Sequence, residues 1–179
     1  NWSEFNFTFS PNSRQILATN SVKKINYLLS LDTPVTSQIL TDVTDNLKTI
    51  YLDWQTQTET ILATKLQSLP KAIQTLIATD SAQNIQFSSD DHKVLYLAKT
   101  DADLEANLIT PPPARSTQTE HRHLQADHYY VYDLKDDTNF LIGSKNEILY
   151  PSWIPNTNNL TFVNQDNLKV IDYDGTNRQ

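Results

Sequence analysis

A short pattern that occurs four times constrains the fold of this chain more than any other feature of its sequence. The copies span residues 9–19, 54–64, 87–97 and 153–163, at spacings of 45, 33 and 66 residues. Each copy begins with Phe or Trp, continues through a polar stretch, and reaches an aliphatic residue seven positions after the aromatic one. Ser, Asn, Asp and Thr dominate these stretches, which is typical of turns. The repetition indicates one small structural unit that is used several times.

The residues on either side of each turn have the pattern of β-strands. Phe5, Phe7 and Phe9 alternate with polar residues, which is the period of a half-buried strand. After the third turn, residues 94–97 are apolar at consecutive positions, so this strand requires cover on both faces of its sheet. Sheets stacked face to face would supply that cover. We therefore expect the aromatic residues that open the four copies to be buried at equivalent positions.

Further strands follow in at least three of the units. Aromatic or aliphatic runs that end near an acidic turn predict a third strand at 26–32, 129–134 and 168–175. The shorter apolar pairs 39–40 and 140–141 suit an outer edge strand. Each unit is thus expected to be a small antiparallel sheet.

These segments resemble a known repeat. Residues 9–17, Phe-Ser-Pro-Asn-Ser-Arg-Gln-Ile-Leu, and residues 130–134, Tyr-Val-Tyr-Asp-Leu, are similar to the WD40-like (PD40-like) repeat of TolB-type β-propellers and of the propeller in prolyl-oligopeptidase relatives. The ending at 172–177, Asp-Tyr-Asp-Gly-Thr-Asn, looks most like propellers in PEGA-domain bacterial surface proteins. The resemblance covers nearly the whole chain as a repeat pattern, and it implies a fold rather than an activity.

The resemblance predicts an all-β fold, a single β-propeller-type domain over residues 1–179. Four blades are expected at approximately 3–44, 45–82, 83–147 and 148–179. They could close as a small ring latched by the strand at 3–9, or belong to a larger propeller. We favour a partial propeller, because the residues after Gly175 are too few for the outer strand of the fourth blade.

Two segments interrupt the repeat. Leu69, Ile73 and Leu76 fall at helical spacing and Pro70 suits a first helical turn, so we predict one short helix insert at 69–78 in the second blade. A polar stretch at 100–128 contains the run Pro111–Pro113, which cannot join a central strand. We predict a long, mobile loop insert there.

Composition excludes several classes of protein. The net charge is −7 and no cluster of Lys and Arg occurs, which argues against binding to nucleic acid or to anionic membranes. No apolar run is long enough for a membrane span. Cysteine is absent, which excludes disulfides and thiolate sites.

Two groups of side chains could hold a metal ion, and we reject both. His121, His123 and His128 lie near Glu120 and Asp127, but this stretch is polar and lacks an apolar frame. Residues 101–105, with Asp, Asp and Glu at alternate positions, resemble the start of a calcium loop. They lack its central glycine and its distal glutamate.

The sequence also lacks a catalytic motif. There is no Gly-x-Ser-x-Gly elbow, no phosphate loop and no dinucleotide fingerprint. We predict no catalytic, cofactor-binding or metal-binding residues. The chain is expected to be a non-catalytic binding or scaffold module for a protein or cell-envelope partner, in an extracytoplasmic or cell-surface location. The alternatives are an accessory propeller of a larger enzyme, such as a prolyl-oligopeptidase-type serine peptidase, and a structural spacer.

Overall fold

The computed structural model describes residues 2–110 and 118–179. The chain divides into two compact units, Asn1–Leu66 and Gln67–Gln179. The described residues form 12 strands in four antiparallel sheets, together with two α-helices. The prediction of a mostly β fold is therefore confirmed at this level.

The first unit is one three-stranded sheet followed by a long helix. The strands β1 (Asn6–Phe9), β2 (Gln15–Asn20) and β3 (Ile25–Ser30) are antiparallel in the order β1-β2-β3. Short 3-10 turns occur at Trp2–Glu4, Val35–Ser37 and Thr44–Asn46. Helix α1 (Leu47–Gln67) buries Trp54, whose indole N–H donates to the Gln15 Oε1 at 3.4 Å.

The second unit contains the remaining sheets. It begins with helix α2 (Lys71–Ala78), which confirms the helix predicted at 69–78. A four-stranded sheet follows, in the order β4-β5-β8-β9, and then a three-stranded sheet, in the order β10-β11-β12. The strand bounds in chain order are β4 (Ala82–Phe87), β5 (Lys93–Ala98), β6 (Ala102–Asp103), β7 (His123–Leu124), β8 (His128–Asp133), β9 (Thr138–Ser144), β10 (Leu149–Trp153), β11 (Asn159–Asn164) and β12 (Asn167–Asp172).

Three of the four repeat copies, all of whose residues are described, form the same hairpin. In each, the opening aromatic residue pairs with the aliphatic residue seven positions later: Phe9 with Ile16, Phe87 with Val94, and Trp153 with Leu160. The backbone N–H after each aromatic residue donates across the turn at 2.9 Å, from Ser10, Ser88 and Ile154. The predicted strand, turn and strand are therefore confirmed in these three copies, and the structure adds their common register. The third strands predicted at 26–32, 129–134 and 168–175 are confirmed as β3, β8 and β12.

The second copy does not form a hairpin, and the blade predicted at 45–82 is wrong. All of its residues are described, and none before Ala82 lies in a strand, because 54–64 belongs to α1. The region 47–67 has no Gly or Pro. The hydroxyls of Thr58 and Thr60 donate hydrogen bonds to the backbone carbonyls four residues earlier. Threonine residues that are typical of turns are therefore accommodated in a helix. The outer strand predicted at 39–40 is also absent, whereas the pair 140–141 lies in β9 as expected.

Two antiparallel sheets of the second unit share one core. Leu95, Leu97 and Val131 from one sheet cluster with Trp153, Leu160 and Phe162 from the other, and all are buried. The indole N–H of Trp153 donates to the backbone carbonyl of Gln86 at 3.2 Å, and the Gln86 side chain donates to the carbonyl of Pro151 at 2.9 Å. These two bonds tie the edge of β4 to the edge of β10.

The loop predicted at 100–128 is, in its described parts, folded back on the second unit. Strands β6 and β7 pair with each other, and Leu104 and Leu124 are buried. The His121 backbone N–H donates to the Asn139 carbonyl at 2.7 Å, which attaches the returning arm to β9. The prolines Pro111–Pro113 lie outside the described residues. Each of the two described arms thus has backbone partners, and the mobility of the loop stays a prediction.

The carboxyl-terminal residues lie beside β12, and they form no further strand of its sheet. The backbone N–H and carbonyl of Gln179 both bond to Val170, at 2.9 and 3.1 Å. Gly175 has φ +84°, and a Cβ there would lie 2.6 Å from the Leu141 carbonyl oxygen, so only glycine fits. Gln179 therefore bonds to the outer edge of β12 at Val170.

Candidate binding groove

The edge strands β4 and β10 each contain a bulge. The pairing of β4 with β5 shifts between Gln83 and Gln86, and the pairing of β10 with β11 shifts between Leu149 and Ser152. A bulge places one extra residue on the edge strand, bends that strand and changes the direction of a side chain. Both bulges occur in strands that precede a repeat turn.

The two bulges are at equivalent positions of the repeat. Asn84 lies three residues before Phe87, and Tyr150 lies three residues before Trp153. Both residues adopt the left-handed backbone region, with φ values of 55° and 53°. Asparagine is accepted there because its side chain is short and polar, whereas a bulky tyrosine is uncommon. Tyr150 therefore holds a strained conformation that its equivalent in β4 adopts more easily.

A groove of about 610 Å³ lies between these edges. Its volume is within the usual range for a binding site of a small ligand or a peptide side chain. The apolar part of its lining consists of Ile85, Leu97, Ile148, Leu149 and Pro151. The polar part consists of Asn84, Gln86, Lys145 and Asn146, and two aromatic residues, Tyr129 and Tyr150, complete it.

The polar side chains of the groove differ in whether they already have a hydrogen-bond or ion-pair partner. The side-chain amide of Gln86 donates a hydrogen bond to the Pro151 carbonyl across the groove. The Asn84 amide donates to the Tyr129 hydroxyl at 3.4 Å, which is a long bond and leaves its carbonyl oxygen available. The Lys145 ammonium pairs with the Asp127 carboxylate at 2.8 Å. Among the described residues, the exposed side chain of Asn146 has no hydrogen-bond partner.

Tyr150 is the most exposed aromatic residue in this region. Its exposed fraction is 85%, whereas Tyr129 in the same groove is buried. The bulge thus presents an exposed ring at the rim. Tyr150 thus combines a strained backbone, an exposed ring and a position in the groove.

A second cluster of polar side chains lies under the loop insert at 100–128. These side chains are buried and attach the insert to the sheet. Asp137 is fully buried, accepts a hydrogen bond from the Tyr132 hydroxyl at 2.5 Å, and pairs with Arg122 at 3.3 Å. Burial and this bond to Asp137 raise the pKa of the Tyr132 hydroxyl. The Tyr96 hydroxyl donates to Asn139 at 2.9 Å, and Asn139 donates to the His121 carbonyl at 2.7 Å. These groups satisfy one another and join the insert to β8 and β9.

The histidines considered as metal ligands do not converge. The His123 ring lies 2.8 Å from the Asp103 carboxylate, which raises the pKa of that histidine. The His128 ring forms a hydrogen bond with the Ala126 carbonyl at 2.9 Å. The backbone N–H of His121 donates to the carbonyl of Asn139 in β9. In residues 2–110 and 118–179, no group of three or more His, Asp or Glu side chains is arranged to hold a metal ion.

The acidic residues at 101–105 are also separated by their partners. Asp101 accepts the backbone N–H of Ala126 at 2.7 Å, and Asp103 pairs with His123. The Glu105 backbone carbonyl accepts a hydrogen bond from Arg122 at 2.6 Å. These residues close the base of the insert, and their side chains do not surround a common point.

The sequence motifs pointed to none of the groove residues. Asn84 and Tyr150 are separated by the same 66 residues as the third and fourth repeat copies, but the two residue types differ. Nothing in the sequence marks either strand as bulged.

None of the helices in the described part of the chain has the length and apolar character that a membrane span requires. No protein-family model, no curated protein and no solved structure matches the chain.

Proposed function

We propose that this chain is a non-catalytic β-propeller-type binding or scaffold module, and that the groove between β4 and β10 binds a protein partner. The observation that carries the proposal is Tyr150. Strained backbone at an exposed residue is retained where the surrounding structure holds it, and such sites cluster where ligands bind. Tyrosine is also among the residues that are enriched in the centres of protein interfaces.

The chemistry of the lining supports binding. Amide groups and apolar side chains dominate it, and Lys145 is neutralised by Asp127. A concave, largely apolar site with a few convergent polar groups is the usual form of a recognition site.

The blade interpretation is supported by the common hairpin. Three hairpins share one register, and two of the sheets they belong to pack over one core, as neighbouring blades would. We extend the proposal to an extracytoplasmic or cell-surface location on the resemblance to PEGA-domain surface proteins alone.

Crosslinking from the groove tests the proposal. A photoreactive phenylalanine analogue would replace Tyr150 in the full chain, expressed in its native cells, and Val22, an exposed residue of the first unit, would be the matched control position. A discrete adduct from position 150 and none from position 22 is expected.

The crosslinked partner would then be purified and its affinity measured by calorimetry. Tyr150→Asn should weaken binding at least about tenfold, or about 1.4 kcal/mol, and Val22→Asn should leave it unchanged. Equal affinity for the wild type and Tyr150→Asn, or the same adducts from both positions, would overturn the proposal.

A further inference from the structure

We propose that the groove binds an uncharged, extended polypeptide segment flanked by basic residues, held by the side-chain amides of Asn84 and Asn146 and packed on Tyr150. This inference rests on the proposed function, because it names the class of partner for the same site.

The charges of the groove select an uncharged segment. Lys145, the charged member of the lining, is 2.8 Å from Asp127 and so has its counter-charge already. A charge on the ligand would lie over Leu97 and Ile148, which are buried and apolar, and would lose hydration without gaining a partner. An uncharged segment avoids that cost.

The free polar groups match a peptide bond. Each asparagine amide offers one acceptor oxygen and an N–H₂ donor group, and a peptide unit offers the complementary N–H and carbonyl. The Asn146 side chain has no partner among the described residues. The side-chain amide of Asn84 uses only its N–H in the long bond to Tyr129, so its side-chain oxygen is available. The groove therefore presents donors and acceptors together, and this combination suits a polypeptide backbone.

The strand edges favour an extended chain over a compact ligand. In the described part of the molecule, β4 and β10 each stand first in their sheet, so one side of each has no strand partner, and the carbonyls of Gln86 and Pro151 there accept side-chain hydrogen bonds. Unpaired strand edges are templates for an added chain. The bulges at Asn84 and Tyr150 interrupt both edges, so regular strand addition stops there and side-chain amides must make the remaining bonds.

The net charge of the whole molecule favours basic residues on either side of the ligand's uncharged core. A net charge of −7 attracts basic segments and repels acidic ones, and this long-range attraction acts mainly on the association rate. Basic residues on either side of an uncharged core would thus speed encounter without placing a charge over the apolar floor.

A defined peptide library tests this inference on the full chain. Peptides with a randomised core of all residue types would be flanked by Lys in one set and by Glu in a second, and a glycan array would be the third arm. We expect binders from the Lys-flanked set with uncharged cores, and association that slows as salt is raised. Charged cores, preference for Glu flanks, or enrichment of glycans instead of peptides would overturn it.

Matched variants assign the contacts. Tyr150→Phe keeps the ring and should retain affinity within about threefold, whereas Tyr150→Asn should lose about tenfold or more. Asn84→Gly keeps the left-handed backbone and removes only the amide, so a loss of about three- to tenfold is expected from one hydrogen bond. An unchanged affinity in both Tyr150→Asn and Asn84→Gly would contradict the assignment.

The two proposals fail in different ways. If crosslinking from Tyr150 identifies a partner whose linear peptides do not bind, the binding function stands and the peptide inference is wrong. If position 150 gives no adduct and no library member binds, both are wrong.

Discussion

The same hairpin occurs in the two units of this protein with opposite burial. Phe9 pairs with Ile16 in the first unit and Trp153 pairs with Leu160 in the second, at the same register. The exposed fraction is nevertheless 60% for Phe9 and 9% for Trp153. In the second unit, the neighbouring sheet covers the face that carries Trp153. On the same face of the first sheet Ala18 and Leu29 are buried, so the exposure is greatest on the edge strand β1. The local sequence thus determines the register, and packing against another sheet determines whether the aromatic residue on the edge strand is buried.

The first unit compensates in part with aromatic contacts of its own. The ring of Trp2 lies 5.1 Å from Phe5 and 6.1 Å from Tyr27, measured between centroids. Such pairs contribute about 0.5–1.5 kcal/mol beyond area burial. They cover one end of the sheet, and Phe7 and Phe9 stay largely exposed. We therefore expect the first unit to be the less stable of the two.

Truncation of the two equivalent aromatic residues should give the largest difference between the units. Trp153→Ala removes a buried ring and should lower the free energy of unfolding by about 3–5 kcal/mol. Phe9→Ala at the equivalent exposed position should cost about 1 kcal/mol or less. Denaturant unfolding followed by a probe in each unit would measure both. Equal losses would show that register alone accounts for stability.

Removal of the buried carboxylate under the insert should have the next largest effect. Asp137→Ala leaves the Tyr132 hydroxyl without its partner in a buried region and removes one of the acidic partners of Arg122, which keeps Glu120, and should cost about 2–4 kcal/mol. Asp42→Ala in the exposed surface of the first unit, which removes a bond from the Thr44 N–H, is the control and should have a smaller effect. A similar loss in both variants would contradict the view that the insert is anchored by buried polar groups.

The smallest expected effect is a gain in stability. Tyr150→Asn places in β10 the residue type that β4 has at the equivalent bulge, and relief of the left-handed tyrosine should stabilise the protein by about 0.5–1 kcal/mol. The same variant is expected to bind its partner less well, which separates stability from function at one residue. A thermal melt that shifts downward would indicate that Tyr150 is structural.

The sequence predicted strands and turns where local chemistry decides them. The spacing from aromatic to aliphatic residue identified three hairpins, and helical spacing identified α2. It failed at Trp54, because the same spacing in 54–64 is compatible with a helix in which threonine hydroxyls bond to the backbone. The exposure of Phe9 also could not be predicted, since it depends on which sheet lies against which.

The candidate groove was beyond prediction for a related reason. The left-handed conformation of Tyr150 arises from a bulge, and nothing in the residues around it distinguishes a bulged edge from a regular one. The attachment of the insert depends on Asp137 and Asn139, which meet Arg122 and His121 only after β9 has formed.

Hydrogen exchange of the full chain tests the central claim most directly, because it compares equivalent strands in one molecule. The strands β2, β5 and β11 each follow a repeat turn and lie in the interior of their sheets. Amides of β5 and β11 should exchange at least about tenfold more slowly than those of β2, since packing against a second sheet raises the free energy of local opening. Equal protection in all three strands, or stronger protection in β2, would contradict the claim that sheet cover, and not the hairpin itself, separates the two units.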